Sequence, residues 1–126
     1  MDDTFASLLK SKNFIYLDGG MGTMLQAHGI QTEHVPEMLN LTDPEAIMRI
    51  HRMYVENGAD IIYANTFGAN RYKLAKCGHS VEEIVSAGVS NAKKAAAGNA
   101  LVALDLGPIG QLLEPPALCV ALNIVY

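Results

Sequence analysis

The sequence predicts an α/β fold in which parallel strands alternate with helices. Three short, continuously apolar runs indicate strands that are covered on both faces: "FIYL" (14–17), "DIIYAN" (60–65) and "ALVALDL" (100–106). The stretches between these runs show helical spacing and helix-capping signals. They are also long enough for the crossover connections that parallel strands require. The predicted order is therefore strand, helix, strand, helix, strand.

The bulk properties fit one cytoplasmic domain with a hydrophobic core. The chain has 126 residues, of which 50% are hydrophobic, and it carries a formal net charge of −4. Its scattered basic residues form no cluster for nucleic acid, and no apolar run is long enough to span a membrane. Two cysteines, Cys77 and Cys119, match no local metal motif and indicate free thiols. We therefore expect neither a nucleic-acid partner nor a membrane partner.

A well-marked helix lies between the first two predicted strands. Thr42 and Glu45 have the spacing of a capping box, and Pro44 stands in the first turn, where no N–H is needed. Gly58 is suited to a left-handed C-terminal cap. The buried stripe is predicted to contain Ala46, Ile47, Ile50, Met53 and Tyr54. His51 lies between the two faces of this helix and is expected to be a solvated or packing residue.

Two helical stretches are predicted between the second and third strands. "NRYKLAKCG" (70–78) is short and ends at Gly78. A longer helix begins at Ser80, with Glu83 completing a capping box. Its inner stripe is predicted to contain Val81, Ile84, Val85, Gly88, Val89, Ala92 and Ala96. The small residues in that stripe favour close packing on the sheet.

Polar residues follow each predicted strand at the point where the strand ends. Asp18 follows the first, Asn65 and Thr66 end the second, and Asp105 lies in the third. In parallel α/β folds the ligand binds beyond the carboxyl ends of the strands. The sequence therefore predicts a binding site at this edge of the sheet.

The glycine turn "LDGGMG" (17–22) resembles a nucleotide-binding loop only in part. The dinucleotide fingerprint fails because Leu25 occupies its third glycine position, and a phosphate-binding loop fails because it lacks its lysine. What remains is backbone that can offer N–H groups to an anion, or a tight turn that simply needs glycine. Asp18 beside this turn suits the ammonium of a zwitterion such as an amino acid, although Asp18 could instead cap the short helix from Gly22.

Four segments together resemble one known family. They are "LDGGMGTMLQ", "PEMLNLTDPEAIMRIH", "YVENGADIIYANTFGANRYKL" and "VALDLGPIGQLLEP". In this order and spacing, between residues 14 and 115, they look like the amino-terminal part of the homocysteine S-methyltransferase family. That family includes the homocysteine-binding module of cobalamin-dependent methionine synthase. The resemblance implies a (β/α)8 TIM barrel, of which residues 1–126 supply about three strands as one partial domain.

The resemblance also implies a substrate and the residues that bind it. The substrate is homocysteine, whose thiol receives a methyl group to give methionine. Asp18 matches the acid that receives the substrate amino group, and Gly19 and Gly20 match the turn that lines the amino-acid end. Thr66, beside Asn65, matches a pocket residue. No residue of this chain is assigned a catalytic role.

The chain also departs from the family pattern. Family enzymes ionise the homocysteine thiol on zinc held by three cysteines of later strands, and no such set is present here, so no metal ligand is assigned. Cobalamin is a candidate methyl donor. A barrel needs roughly 250 residues, and residues 116–126 leave the family pattern. The alternative is a non-catalytic partial-barrel scaffold that folds with a partner, an oligomer or the remaining barrel segment.

Overall fold

The computed structural model describes residues 4–31 and 35–109. These residues form a mixed α/β structure with a small parallel sheet. The helical elements are α1 (Thr4–Ser11), α2 (Met21–Ala27), a 3₁₀ helix (Pro36–Met38), α3 (Leu39–Thr42), α4 (Pro44–Glu56), α5 (Arg71–Leu74) and α6 (Val81–Ala96). The strands are β1 (Ile61–Tyr63) and β2 (Leu101–Ala103). Among the described residues, no helix is both long enough and apolar enough to cross a bilayer.

The two strands pair in parallel, as the continuous apolar runs predict. Ile61 lies opposite Leu101, and Tyr63 lies opposite Ala103. The crossover between them contains α5 and α6, and α6 packs against both strands. The predictions of strands within 60–65 and 100–106 are therefore confirmed, with three residues in each strand.

The prediction of a buried strand at residues 14–17 is wrong. Only Leu17 forms a bridge with β1, opposite Ile61, and Phe14 is 74% exposed. The ladder fails to extend because the Asp60 carboxylate, rather than a main-chain carbonyl, accepts the Tyr16 N–H at 3.0 Å. The same carboxylate pairs with Lys12. The apolar pattern thus identified a segment that lies beside the sheet. The Asp60 side chain, however, accepts the hydrogen bond that regular strand pairing would have used.

Helix α4 begins one residue later than a Thr42 cap would place it. Asp43 is the N-cap, and its carboxylate accepts the Ala46 N–H at 3.1 Å. Thr42 instead ends α3, where its hydroxyl donates to the Met38 carbonyl. An N-cap needs non-helical backbone, which Asp43 has and the last residue of α3 lacks. The predicted capping box of Thr42 and Glu45 is therefore wrong.

The other end signals of the long helices are confirmed. Ser80 and Glu83 form the reciprocal capping box at the start of α6. Gly58, just beyond α4, has a φ of +96°, which glycine tolerates far better than other residues. Within α4, Ile47 and Ile50 are fully buried as predicted. His51 is fully buried as well, which fits the packing expectation and excludes the solvated one.

The two faces of the sheet differ in their cover. Ile62 of β1 is fully buried in a cluster with Ala92 and Ala96 of α6. On the other side of the sheet, Ile61 is buried at 9% exposure and Tyr63 is 38% exposed. They line an open apolar groove of about 590 Å³ together with Phe5 of α1. The groove-lining residues are Phe5, Ile15, Leu17, Ile61, Tyr63, Leu101, Val102 and Ala103.

Candidate functional site

A cavity of about 400 Å³ lies beyond the carboxyl ends of the strands. Its walls come from residues 18–22, from the start of the 3₁₀ helix, from the segment after β1, and from Asp105 after β2. All five predicted site residues contribute to this wall: Asp18, Gly19, Gly20, Asn65 and Thr66. The parallel topology thus brings together polar residues that lie up to 87 positions apart in the chain (Asp18 to Asp105, 105 − 18).

Asp18 is tied to β1 by its side chain. One carboxylate oxygen accepts the Tyr63 N–H at 3.0 Å, while the Asp18 N–H donates to the Ile61 carbonyl at 3.1 Å. Partial burial raises the pKa of Asp18 to about 6, and the nearby charge of Asp105 acts in the same direction. Helix α2 has Gly20 at its N-cap and no side-chain capping bond. The alternative that Asp18 caps this helix is therefore wrong.

The glycine turn is shaped by close contact with Tyr54 of α4. The Tyr54 hydroxyl donates to the Gly20 carbonyl at 3.3 Å. A Cβ at Gly19 would lie 2.8 Å from that hydroxyl oxygen, so a larger residue would displace the ring. Neither Gly19 N–H nor Gly20 N–H donates a hydrogen bond to another described residue. Within the described part of the chain, both N–H groups are thus unpaired in residues that line the cavity.

Asn65 belongs to a buried amide network behind the cavity wall. Its side-chain NH₂ donates to the Asn40 side chain at 3.0 Å and to the Pro36 carbonyl at 3.1 Å. Asn40 in turn donates to the Asn65 carbonyl at 2.7 Å and to the Ile84 carbonyl at 3.2 Å. Asn91 of α6 donates to the Asn40 carbonyl at 2.9 Å. The network joins the 3₁₀ helix, α3, α6 and the end of β1.

Thr66 connects the segments that follow the two strands. Its hydroxyl donates to the Asp105 carbonyl at 2.8 Å and accepts the Asp105 N–H at 3.1 Å. Thr66 is only 2% exposed. Asn65 and Thr66 thus both line the cavity, but their side chains already use most of their hydrogen-bonding groups within the protein.

The sequence analysis missed two charged residues of the cavity wall. Glu37 is 4% exposed, and its carboxylate accepts the Gly68 N–H at 2.6 Å. Its other oxygen has no partner among the described residues. Lys73 of α5 lies with its ammonium 5.6 Å from the centre of the Phe67 ring. The only sequence signals are a lone acid after Pro36 and a lone base in a short helix, and neither indicates a site.

The described residues do not fit a metal. Nowhere in residues 4–31 and 35–109 do three His, Cys, Asp or Glu side chains group so as to hold one. Cys77 is a free thiol that packs beside Leu74 and Ile84 and does not line the cavity. Cys119 lies outside the described residues. The ligand set that the family resemblance implies is thus not provided by the described part of the chain.

Similar structures exist for a large part of this fold. The metallated form of the homocysteine methyltransferase MmuM from Escherichia coli superposes with a TM-score of 0.73 at 27% identity, covering 82% of this chain and 41% of that one. The oxidized form of the same enzyme gives a TM-score of 0.75 at 26% identity, covering 86% of this chain and 42% of that one. The described α/β structure is therefore similar to the fold of that methyltransferase, and the chain spans less than half of its length.

Sequence relatives point the same way. The methionine synthase of Mycobacterium tuberculosis is 44% identical over 63 residues, which is 45% of this chain and 5% of that protein. The family model described as Homocysteine S-methyltransferase matches residues 15–123. The family-model match extends to residue 123, and the expected departure at residues 116–126 stays a prediction. With most of its length matched by the family model, the chain belongs to the homocysteine S-methyltransferase family.

Proposed function

We propose that this chain forms the homocysteine-binding part of an enzyme that transfers a methyl group to the thiol of homocysteine, giving methionine. The observation that carries the proposal is that Asp18 lines one cavity with Gly19 and Gly20, whose N–H groups have no hydrogen-bond partner among the described residues. A carboxylate beside neutral donors suits the two ends of an amino acid. Family membership supports the thiol as the reacting group.

In this proposal each contact has a defined role. Ionised Asp18 accepts the substrate ammonium, and its bond to Tyr63 keeps the carboxylate oriented. The N–H groups of Gly19 and Gly20 approach the substrate carboxylate. Asn65 and Thr66 form the wall of the pocket, and their internal hydrogen bonds keep that wall rigid.

The activation of the thiol lies beyond the described residues. A free thiol has a pKa of about 8.5, so a metal that stabilises the thiolate would speed its attack on a methyl donor. Zinc is the metal that the family resemblance implies, and a set of ligands for it is not present among the described residues. Cobalamin as the donor rests likewise on the resemblance to methionine synthase.

The Asp18→Asn substitution tests the proposal. Asparagine keeps the size of the side chain but removes the charge that balances the ammonium. A hydrogen bond to a charged group contributes on the order of 1.5–3 kcal/mol, so we expect homocysteine affinity to fall roughly ten- to a hundredfold. Calorimetric titration of homocysteine into the full-length parent and variant proteins measures this change.

A thiol without an amino group is the matched control. We expect 4-mercaptobutanoate, which is homocysteine without its amino group, to bind the variant at least as tightly as the parent, because it has no ammonium for Asp18 to accept. Equal losses for the two ligands would show general damage to the cavity and would remove Asp18 from its proposed role. A parent protein that binds neither thiol would overturn the proposed function itself.

The open apolar groove favours a second candidate, a non-catalytic scaffold module. Leu17, Leu101 and the other groove residues leave one sheet face open in the described part of the chain, so the module would fold with a partner, an oligomer or further barrel strands. The same titration separates the candidates. Selective binding of homocysteine supports the enzyme, and its absence from the parent supports the scaffold.

A further inference from the structure

We propose that Lys73 determines specificity by acting as the counter-ion of the substrate carboxylate. This inference rests on the proposed binding of homocysteine and names the second charged contact of the same cavity. Peptide N–H groups alone leave a carboxylate without a positive charge nearby. Lys73 is the one basic side chain that lines the cavity, as far as the described residues show.

The backbone around Lys73 is fixed at the start of α5. The Asn70 side chain is the N-cap and accepts the Tyr72 N–H at 3.1 Å and the Lys73 N–H at 3.0 Å. Asn70 itself is only 5% exposed, so this cap is held within the protein. Lys73 therefore leaves the backbone from a defined point beside the cavity, while its long side chain stays adjustable.

The Phe67 ring holds the Lys73 ammonium at the cavity wall. The ammonium lies 5.6 Å from the ring centre, within the range of a cation–π contact. The Phe67 carbonyl accepts the Gly107 N–H at 3.0 Å, and a Cβ at Gly107 would overlap that carbonyl oxygen. The segment after β2 thus fixes the aromatic surface on which Lys73 rests. A cation–π contact at an exposed site is weak enough for the ammonium to turn toward an anion.

The charges of the cavity explain why a cation is needed. Asp18, Glu37 and Asp105 line it, and carboxylates repel a bound carboxylate group. Lys73 forms no ion pair with any described residue, so its charge is not neutralised within that part of the chain. An amino acid would be oriented with its ammonium toward Asp18 and its carboxylate toward Lys73.

Three thiols and three substitutions test this assignment in the full-length protein. The ligands are homocysteine, 4-mercaptobutanoate, which lacks only the ammonium, and 3-aminopropane-1-thiol, which lacks only the carboxylate. The substitutions are Lys73→Gln, Lys73→Arg and, as a matched control, Lys76→Gln. Lys76 is an exposed lysine near Lys73 that does not line the cavity.

We expect Lys73→Gln to weaken the binding of homocysteine and of 4-mercaptobutanoate by about tenfold and to leave the binding of 3-aminopropane-1-thiol within about twofold. Lys73→Arg should retain most of the affinity, and Lys76→Gln should leave all three ligands unchanged. A thermal melt of each variant measures folding independently. Because both glutamine changes are at exposed positions, equal melting temperatures are expected.

Two results would overturn the assignment. Unchanged affinity of Lys73→Gln for both carboxylate ligands would show that Lys73 makes no such contact. Equal losses of affinity for all three thiols would show that Lys73 affects the thiol end of the ligand or the fold, and not the carboxylate contact. In either case, selective binding of homocysteine by the parent would leave the proposed function standing, whereas a parent that binds no homocysteine would remove both proposals.

Discussion

The two turns that form the cavity use their polar residues differently. In the turn after Leu17, Asp18 makes one side-chain bond to Tyr63, and the glycine N–H groups have no described partner. In the turn after β1, Asn65 and Thr66 are bonded to neighbouring elements and are 6% and 2% exposed. The first turn has hydrogen-bonding capacity left for a ligand. The second holds the surrounding elements in place.

This difference separates two reasons for a polar residue at the end of a strand. A buried amide must find partners within the protein, because an unpaired one costs roughly 1–3 kcal/mol. A carboxylate at the surface of a cavity can remain unpaired until a ligand binds. Position at the carboxyl end of a strand therefore indicates a wall residue, and only the unused bonding capacity indicates a binding residue.

Among substitutions that compare the two turns, the largest expected loss of stability concerns two helical glycines, one behind each turn. A Cβ at Gly88 of α6 would lie 2.7 Å from the Asn40 amide nitrogen and 3.2 Å from the Asn65 carbonyl. Overpacking costs up to about 3 kcal/mol, while helix propensity returns about 1, so we expect Gly88→Ala to destabilise by roughly 2 kcal/mol. Chemical denaturation of the full-length protein measures the change.

Gly22 of α2 is the matched position behind the first turn. A Cβ there would meet nothing within 4 Å, so only helix propensity acts, and Gly22→Ala should stabilise by roughly 0.5–1 kcal/mol. Equal changes in stability from the two alanine substitutions would show that the turn after β1 is no more tightly packed than the turn after Leu17.

The pH dependence of homocysteine binding should reflect the ionisation of Asp18 alone, in the turn after Leu17. Only ionised Asp18 attracts an ammonium, and its pKa is about 6 in the free protein. Homocysteine affinity should therefore level off well above pH 6 and fall toward tenfold per pH unit well below it. The Asp18→Asn variant should bind weakly but with no such slope. A slope that persists in the variant would assign the titration to another group.

The protonation state of Asp18 that favours the stability of the free protein is opposite to the one that favours homocysteine binding. Burial raises the pKa of Asp18 in the folded protein, so the folded state favours the protonated form. That contribution is fully present below the unfolded value of 3.8 and is lost as the pH rises through about 6. Ionised Asp18 is thus unfavourable for the empty cavity and becomes favourable once an ammonium is bound.

The last substitution, at Thr66, is expected to change stability more than affinity. Valine has nearly the same shape, so Thr66→Val removes the two hydrogen bonds to Asp105 without opening a cavity. We expect a loss of about 1–2 kcal/mol in stability and a change of less than about twofold in homocysteine affinity. Parallel denaturation and titration experiments test the pair of values. A large loss of affinity with unchanged stability would make Thr66 a direct ligand contact.

The sequence was a good guide where a local signal decides the structure. The Ser80 and Glu83 spacing predicts the start of α6, and continuous apolar runs predict β1 and β2. The convergence of Asp18 with Asn65 and Thr66 follows from parallel topology alone. Each of these predictions depends on neighbours in the chain or on one general rule of α/β folds.

The sequence was a poor guide where a distant contact decides. Asp60 takes the N–H that would have continued a strand at 14–17, and it lies 44 positions from Tyr16. The partners of Asn40 and the burial of Glu37 against Gly68 likewise depend on the packed fold. For α4, Thr42 and Asp43 both have side chains suited to capping, and the choice depends on how far α3 extends.

The buried imidazole of α4 has a consequence for the protein in acid. His51 has no hydrogen-bond partner for either ring nitrogen among the described residues, and burial lowers its pKa from 6.5 to about 4. As the pH falls, His51 therefore takes up a proton in the unfolded chain at a higher pH than in the folded chain. Stability is fully present above pH 6.5 and falls by about 3 kcal/mol as the pH drops to 4. Proton uptake by His51, which does not line the cavity, would thus limit the stability of this fold in acid.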